Sequence, residues 1–283
     1  MVFTENKFIS LFLILLFLGL ELKAQTPKNK DSVSTTWELL KYDGLSAFGG
    51  LKKTYAQPIK WQKDDFLTAG AIVAGTAVLY IFDDEANEWF RSQEDDIPMF
   101  IQDFGWYYGS PQNNYAVNGA VYLYGLFTRN EKVRRTGVLM ISAATTAGII
   151  QSILKTAVGR ARPKEGSEKG DFKPFSNEPN YHSFPSGHTI LSFTTAYALS
   201  KQFKNPFVKA GIIGIGLIPP ASRLWEGAHW LTDVGLSMAL SVLVVDSIDN
   251  YLTKERDYGQ KEDSGISWKF NVGLGRIGVA GTF

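Results

Sequence analysis

His182-Ser183-Phe184-Pro185-Ser186-Gly187-His188-Thr189 is the stretch from which the rest of the chain can be read. Pro185 does not fit inside a helix and Ser186 is a favoured N-cap, so the sequence predicts a helix that opens here and runs through residue 200. A helix start presents unpaired backbone N–H groups and a partial positive charge, a setting that suits a phosphate-like oxyanion. Gly187 has no Cβ to hold a ligand off the backbone, and His188 stands where it could give a proton to a group leaving that anion. Alone, the stretch reads first as a capped helix with a surface histidine. Two other segments decide between these readings.

The first is Lys155-Thr156-Ala157-Val158-Gly159-Arg160-Ala161-Arg162-Pro163. Lys155 and Arg162 are two helical turns apart, so both side chains can point the same way from a helix that Pro163 is expected to stop. Arg160 falls on another face and reads as a charge complementing the helix dipole. The second segment is Ser222-Arg223-Leu224-Trp225-Glu226-Gly227-Ala228-His229-Trp230-Leu231-Thr232-Asp233. Pro219-Pro220 is expected to end the preceding helix and leave Arg223 in the following turn. His229 and Asp233 are four apart, so the carboxylate can accept a hydrogen bond from one imidazole nitrogen and leave the other free as base or nucleophile.

Each segment also has a plain structural reading, as a basic helix C-terminus or a surface His–Asp contact. Together they gather Lys155, Arg162 and Arg223 around the start of the Ser186 helix, with His188 and His229 on either side. A phosphoryl group brings about two negative charges, and its displacement spreads charge over three oxygens. Fixed donors aimed at that charge are typically worth about 3–4 kcal/mol each in the transition state.

Lys, six residues, Arg-Pro; then Pro-Ser-Gly-His; then Ser-Arg, five residues, His, three residues, Asp: this order resembles the three-part pattern of the type 2 phosphatidic acid phosphatase and vanadium haloperoxidase superfamily, over residues 65–250. The resemblance implies a helical-bundle phosphatase. In it His229 is the nucleophile that forms a phosphohistidine, Asp233 orients His229, and His188 protonates the leaving alcohol. Lys155, Arg162 and Arg223, with Ser186 and the Gly187 N–H, would hold the phosphate oxygens. It implies no metal and no cofactor. Vanadate enters only as an inhibitor, or as the cofactor in the alternative reading of a haloperoxidase. A non-catalytic membrane helix bundle, such as a permease or scaffold, is the alternative from another class.

Composition is consistent with these limits. The chain has 283 residues and a net charge of +1, so it lacks the bulk basic character of a nucleic-acid binder. Having no cysteine, it can build neither disulfides nor thiolate metal sites, and its histidine chemistry is confined to His182, His188 and His229. Residues 1–24 read as an export signal, with Lys7 ahead of an apolar run at 8–20 and Ala24 before Gln25. Residues 25–64 read as a linker followed by an amphipathic or loop segment.

Apolar blocks at 66–82, 115–127, 136–154, 189–199, 207–218 and 231–248 predict an all-α six-helix bundle across residues 65–250. Two or three of them are long enough to span a bilayer, while the fourth and fifth are short for it. The connection at 83–114, acidic and aromatic, reads as a long loop, either a lid or a loop anchored by its aromatics. Connections 128–135 and 201–209 are basic and lie at the end opposite the Ser186 helix start, which would put that end in the cytoplasm and the Ser186 end outside. Residues 251–283 read as a polar tail with a short β segment. The expected protein is exported to the cell envelope, sits on or in a membrane with its site on the periplasmic side, and acts on lipid phosphates. Phosphatidic acid, phosphatidylglycerol phosphate, isoprenyl diphosphate, lipid A phosphate and soluble monoesters all suit the cage, and the apolar blocks and aromatic connection favour the lipids.

Overall fold

The six apolar blocks become helices that run alternately between the two ends of one bundle. The computed structural model describes residues 35–256 and 258, together with the backbone of residues 267–273 and 276–282. Its α-helices, in chain order, are α1 (Thr36–Ala56), α2 (Lys63–Ile81), α3 (Asp83–Arg91), α4 (Met99–Gly109), α5 (Pro111–Phe127), α6 (Glu131–Val158), α7 (Gly187–Ser200), α8 (Pro206–Trp225) and α9 (Leu231–Lys254). The end of α2, the end of α6, the start of α7, the end of α8 and the start of α9 share one end of the bundle, hereafter the site end. The export-signal reading of 1–24 lies outside the described residues.

The core is centred on α6, whose Leu139, Met140, Ala143 and Ala147 pack with Ile190 and Ala198 of α7 and Val245, Ile248 and Leu252 of α9. Helices approach closely where side chains are small. A Cβ on Gly137 would fall 2.5 Å from the Tyr122 backbone, so α5 and α6 nearly touch there. Buried polar side chains join the helices by hydrogen bonds: the Asn114 amide donates to the Leu191 carbonyl at 3.2 Å, and the Thr194 and Ser241 hydroxyls meet at 2.9 Å. Such pairs fix register, because an unpartnered polar group in this core would cost about 1–3 kcal/mol.

Four expectations need correction. Residues 83–114 are no loop: Asp83-Asp84-Glu85 is the acidic first turn of α3, where carboxylates suit the helix dipole, and α4 follows. An acidic run was therefore a helix start, and the aromatics beyond it are wall residues. Pro219 and Pro220 lie inside α8, which continues to Trp225. Each proline removes one backbone donor, yet the helix runs on through both, and both are buried. Helix α6 stops at Gly159, in the left-handed conformation (φ 60°), four residues before Pro163. Residues 36–56, within the stretch read as a linker followed by an amphipathic or loop segment, form α1, started by a capping box in which Thr35 and Glu38 exchange side chain-to-backbone bonds.

Helix α1 is tied in at the end opposite the site. Asp43 lies 3.1 Å from the Arg134 guanidinium and accepts hydrogen bonds from Tyr122 (3.1 Å) and Tyr258 (2.8 Å). Among the described residues four helices, α2, α6, α8 and α9, are long and apolar enough to cross a membrane, so the fifth block is not short for it once α8 reaches Trp225. In the tail, Ser267–Gly273 and Arg276–Thr282 pair antiparallel as a hairpin.

Candidate active site

The last turn of α6 and the segment after it supply two cations. Gly159 turns the chain, and residues 160–162 then run against 171–180: the Ala161 N–H donates to the Asp171 carbonyl, and the Arg162 N–H to that of Asn180. A Cβ at position 159 would fall 1.9 Å from the Lys173 carbonyl oxygen, so only glycine allows this return. Lys155 Nζ donates to the His182 carbonyl at 2.8 Å, and Arg162 Nη2 reaches the same oxygen at 3.3 Å. Arg162 Nη1 donates to the Ala228 carbonyl at 3.1 Å, linking this segment to the one before α9.

The third cation comes from α8. Arg223 Nη1 lies 2.6 Å from a Glu226 carboxylate oxygen, and Nη2 donates to the Ser222 hydroxyl at 2.9 Å. Its guanidinium lies 4.6 Å from the Trp106 ring of α4, and that ring lies 5.0 Å from the His188 ring. The stretch read as either a lid or a loop anchored by its aromatics is helical here, and its Trp106 lies against one cation and one imidazole.

Ser186 caps α7. Its hydroxyl accepts from the Thr189 N–H at 3.4 Å and the Thr189 hydroxyl at 3.0 Å, and the residue is fully buried. Its side chain is therefore held by the helix, and the groups here suited to an anion are the N–H groups of the first turn, beginning with Gly187. His188 Nε2 is buried without a hydrogen-bond partner, an unsatisfied polar atom beside the cations.

His229 precedes α9, whose N-cap is Trp230; Asp233, in the first turn, accepts from the Trp230 N–H at 2.8 Å. His229 Nδ1 lies 3.5 Å from Asp233 Oδ2, which leaves Nε2 outside that contact. Ser183 binds both members: its hydroxyl donates to Asp233 Oδ2 and lies 3.5 Å from His229 Nδ1. Burial pushes the His229 imidazole down to about 4; Asp233 opposes the shift, while Lys155 and Arg162 add to it. His188 is pushed to about 3, first by burial and then by Arg223, His229, Lys155 and Arg162. Both rings are neutral at pH 7, and each is within electrostatic reach of the same cations.

The structure thus brings Lys155, Arg162, Gly187, His188, Arg223, His229 and Asp233 to one place at the site end, and turns the Ser186 hydroxyl away into a cap. Sequence reasoning missed Ser183, Trp106, Arg160 and Asp83. Ser183 and Arg160 stood inside the quoted stretches, as neighbours of residues given roles. Arg160 is 1% exposed and pairs with both Asp83 (2.6 Å) and Asp233 (2.8 Å), so it is a buried partner and not a helix-end charge. Asp83, 77 residues from Arg160, carried no local signal.

Residues 136–253 match the profile of the PAP2 superfamily. The chain is 34% identical over 108 residues to the lipid A 1-phosphatase of Rhizobium etli, covering 36% of this chain and 44% of that protein. It is 29% identical over 136 residues to the phosphatidylglycerophosphatase B of Bacillus subtilis, covering 44% of this chain and 62% of that protein. The chain thus spans about half the length of the curated relatives it matches. Among solved structures, Aquifex aeolicus LpxE aligns with a TM-score of 0.43 and 23% identity, over 57% of this chain and 93% of that one.

Proposed function

We propose that the protein, whose residues 136–253 match the PAP2 superfamily, is a phosphatase that hydrolyses lipid phosphates at an active site on the outer face of a membrane. One observation carries the reading: three cations and two neutral imidazoles converge on a helix N-terminus, and one imidazole has Asp233 on its Nδ1. The named activities of the relatives, on lipid A and phosphatidylglycerophosphate, favour a lipid substrate. So do four helices able to cross a membrane.

In this mechanism Lys155, Arg162, Arg223 and the Gly187 N–H hold the non-bridging oxygens. His229 Nε2 attacks phosphorus while the bond to the lipid oxygen breaks, and Asp233 stabilises the positive charge that grows on the ring. His188 gives its proton to the leaving oxygen. Once neutral, it takes a proton from water, whose oxygen attacks the phosphohistidine and frees inorganic phosphate and His229. An empty site keeps His188 neutral through burial and the nearby cations. A bound phosphate dianion offsets those cations, so the substrate itself favours the protonated form that the first step needs.

The test is phosphate release in detergent from phosphatidic acid, phosphatidylglycerol phosphate, isoprenyl diphosphate and lipid A phosphate. The expected result is release from at least one, lost roughly 10³-fold or more in His229→Ala while the fold persists. Release from none by the wild type, or peroxide-dependent bromide oxidation on adding vanadate, overturns the proposal.

A further inference from the structure

We propose that Arg160 and Asp83 act as a positioning couple for the Asp233–His229 pair, a role that rests on the phosphatase reading above. Arg160 divides its guanidinium between two carboxylates, with Nη1 on Asp233 Oδ1 at 2.8 Å and Nη2 on Asp83 Oδ2 at 2.6 Å. Its Nε donates to the Lys169 carbonyl at 3.1 Å. The rings of Tyr80, Phe172 and Trp230 lie 5.3, 5.7 and 5.0 Å from the guanidinium carbon and exclude water around it. Asp83, fully buried, also accepts from the Thr232 N–H at 2.9 Å and from the Thr232 hydroxyl. The couple is thus anchored to the same first turn of α9 that carries Asp233.

Both carboxylate oxygens of Asp233 are thereby engaged. Arg160 takes Oδ1; the Trp230 N–H, the Ser183 hydroxyl and His229 Nδ1 share Oδ2. A carboxylate pinned on one oxygen cannot rotate the other away from the imidazole. The charged and titratable groups facing Asp233 are the Arg160 guanidinium, the neutral His229 ring and, across the pocket, Lys155. Arg160 therefore keeps Asp233 anionic and stationary, which fixes the His229 tautomer with the proton on Nδ1 and Nε2 available for attack. A merely structural Arg160 would anchor residues 159–172 and leave the chemistry of His229 alone. The fork geometry argues against that: a guanidinium spans the two carboxylates, and a lysine cannot contact both with fixed angles.

The test compares full-length wild type, Arg160→Met, Arg160→Lys and Asp83→Asn in detergent, with far-UV spectra and thermal midpoints to certify folding. Expected is a roughly 10²-fold fall in kcat for Arg160→Met with KM within about threefold, a smaller fall for Asp83→Asn, and partial rescue by Arg160→Lys. The acid limb of kcat/KM should move to higher pH in Arg160→Met, because losing the cation raises the affinity of both Asp233 and His229 for protons. Histidine 15N spectra supply a readout independent of turnover, since the chain has three histidines. Wild-type His229 should show the Nδ1–H tautomer, and Arg160→Met a mixture. Unchanged tautomer and acid limb in folded Arg160→Met or Asp83→Asn would overturn the couple while leaving the phosphatase reading intact. A wild type that releases no phosphate yet loses its Nδ1–H preference in the variants would sink only the phosphatase reading.

Discussion

At the scale of single residues, His229 ties stability to pH. Its imidazole is depressed from about 6.5 to about 4, so the unfolded chain binds the proton more readily than the folded one. The contribution is therefore complete above pH 6.5 and is lost as pH falls from there to 4, amounting to about 3 kcal/mol at the acid end. Thermal midpoints taken from pH 7.5 to 4 should fall less steeply in His229→Gln than in wild type. Equal slopes would mean that the ring is not kept neutral by its surroundings. Ser183 offers a second measurement. Its hydroxyl contacts both Asp233 and His229, and a hydrogen bond to a charged group is worth about 1.5–3 kcal/mol. Ser183→Ala is expected to lower kcat roughly tenfold or more with little change in KM, whereas a change confined to KM would place Ser183 on the substrate side.

At the scale of elements, the ends of helices matter more here than their lengths. Gly159→Ala would force a Cβ onto a left-handed residue and into the Lys173 carbonyl, so the return of 160–162 would have to shift. A loss of about 2–4 kcal/mol is expected, with activity falling further than stability because Arg160 and Arg162 ride on that segment. Asp43→Ala makes the contrast at the opposite end. It strands the buried Arg134 charge at a cost of about 3–5 kcal/mol, yet the fraction that remains folded should keep wild-type kcat. Urea titration and turnover of the same samples separate the two cases.

These same ends show what local sequence could and could not convey. The Ser186 cap and the six apolar blocks were visible because caps and apolar runs are local patterns. Pro219-Pro220 misled because a proline pair disfavours a helix interior without forbidding it, and the contacts that carry α8 on to Trp225 are not in a local window. Arg160 was legible as a charge but not as a partner, since its carboxylates lie 73 and 77 residues away. Asp83 was read with its acidic neighbours, though its own side chain is fully buried while Asp84 reaches a surface lysine. Spacing thus located the cage. The layer that steadies it depends on pairings that only the folded chain makes.

For the whole molecule, the alternating helices yield a testable topology. Lys155, Arg223 and Asp233 all lie in terminal turns, so none needs to sit at a bilayer centre, where each charge would cost about 2.5–3.5 kcal/mol. At the site end Arg160 and Arg162 are drawn into the protein, and Lys169 and Lys173 pair with Asp84 and Glu178. The opposite end holds Lys132, Lys204 and Lys209 on exposed positions beside α6 and α8. Excess cations there favour a cytoplasmic location, with α2 and α6 both rising from it to the site end. Because the chain has no cysteine, single cysteines report position without interference. Lys164→Cys, exposed beside the site, should react with a membrane-impermeant maleimide in intact spheroplasts. Lys204→Cys should react only after permeabilisation. The reverse pattern would put the cage on the cytoplasmic face, and equal labelling of both would mean that the bundle does not separate two compartments.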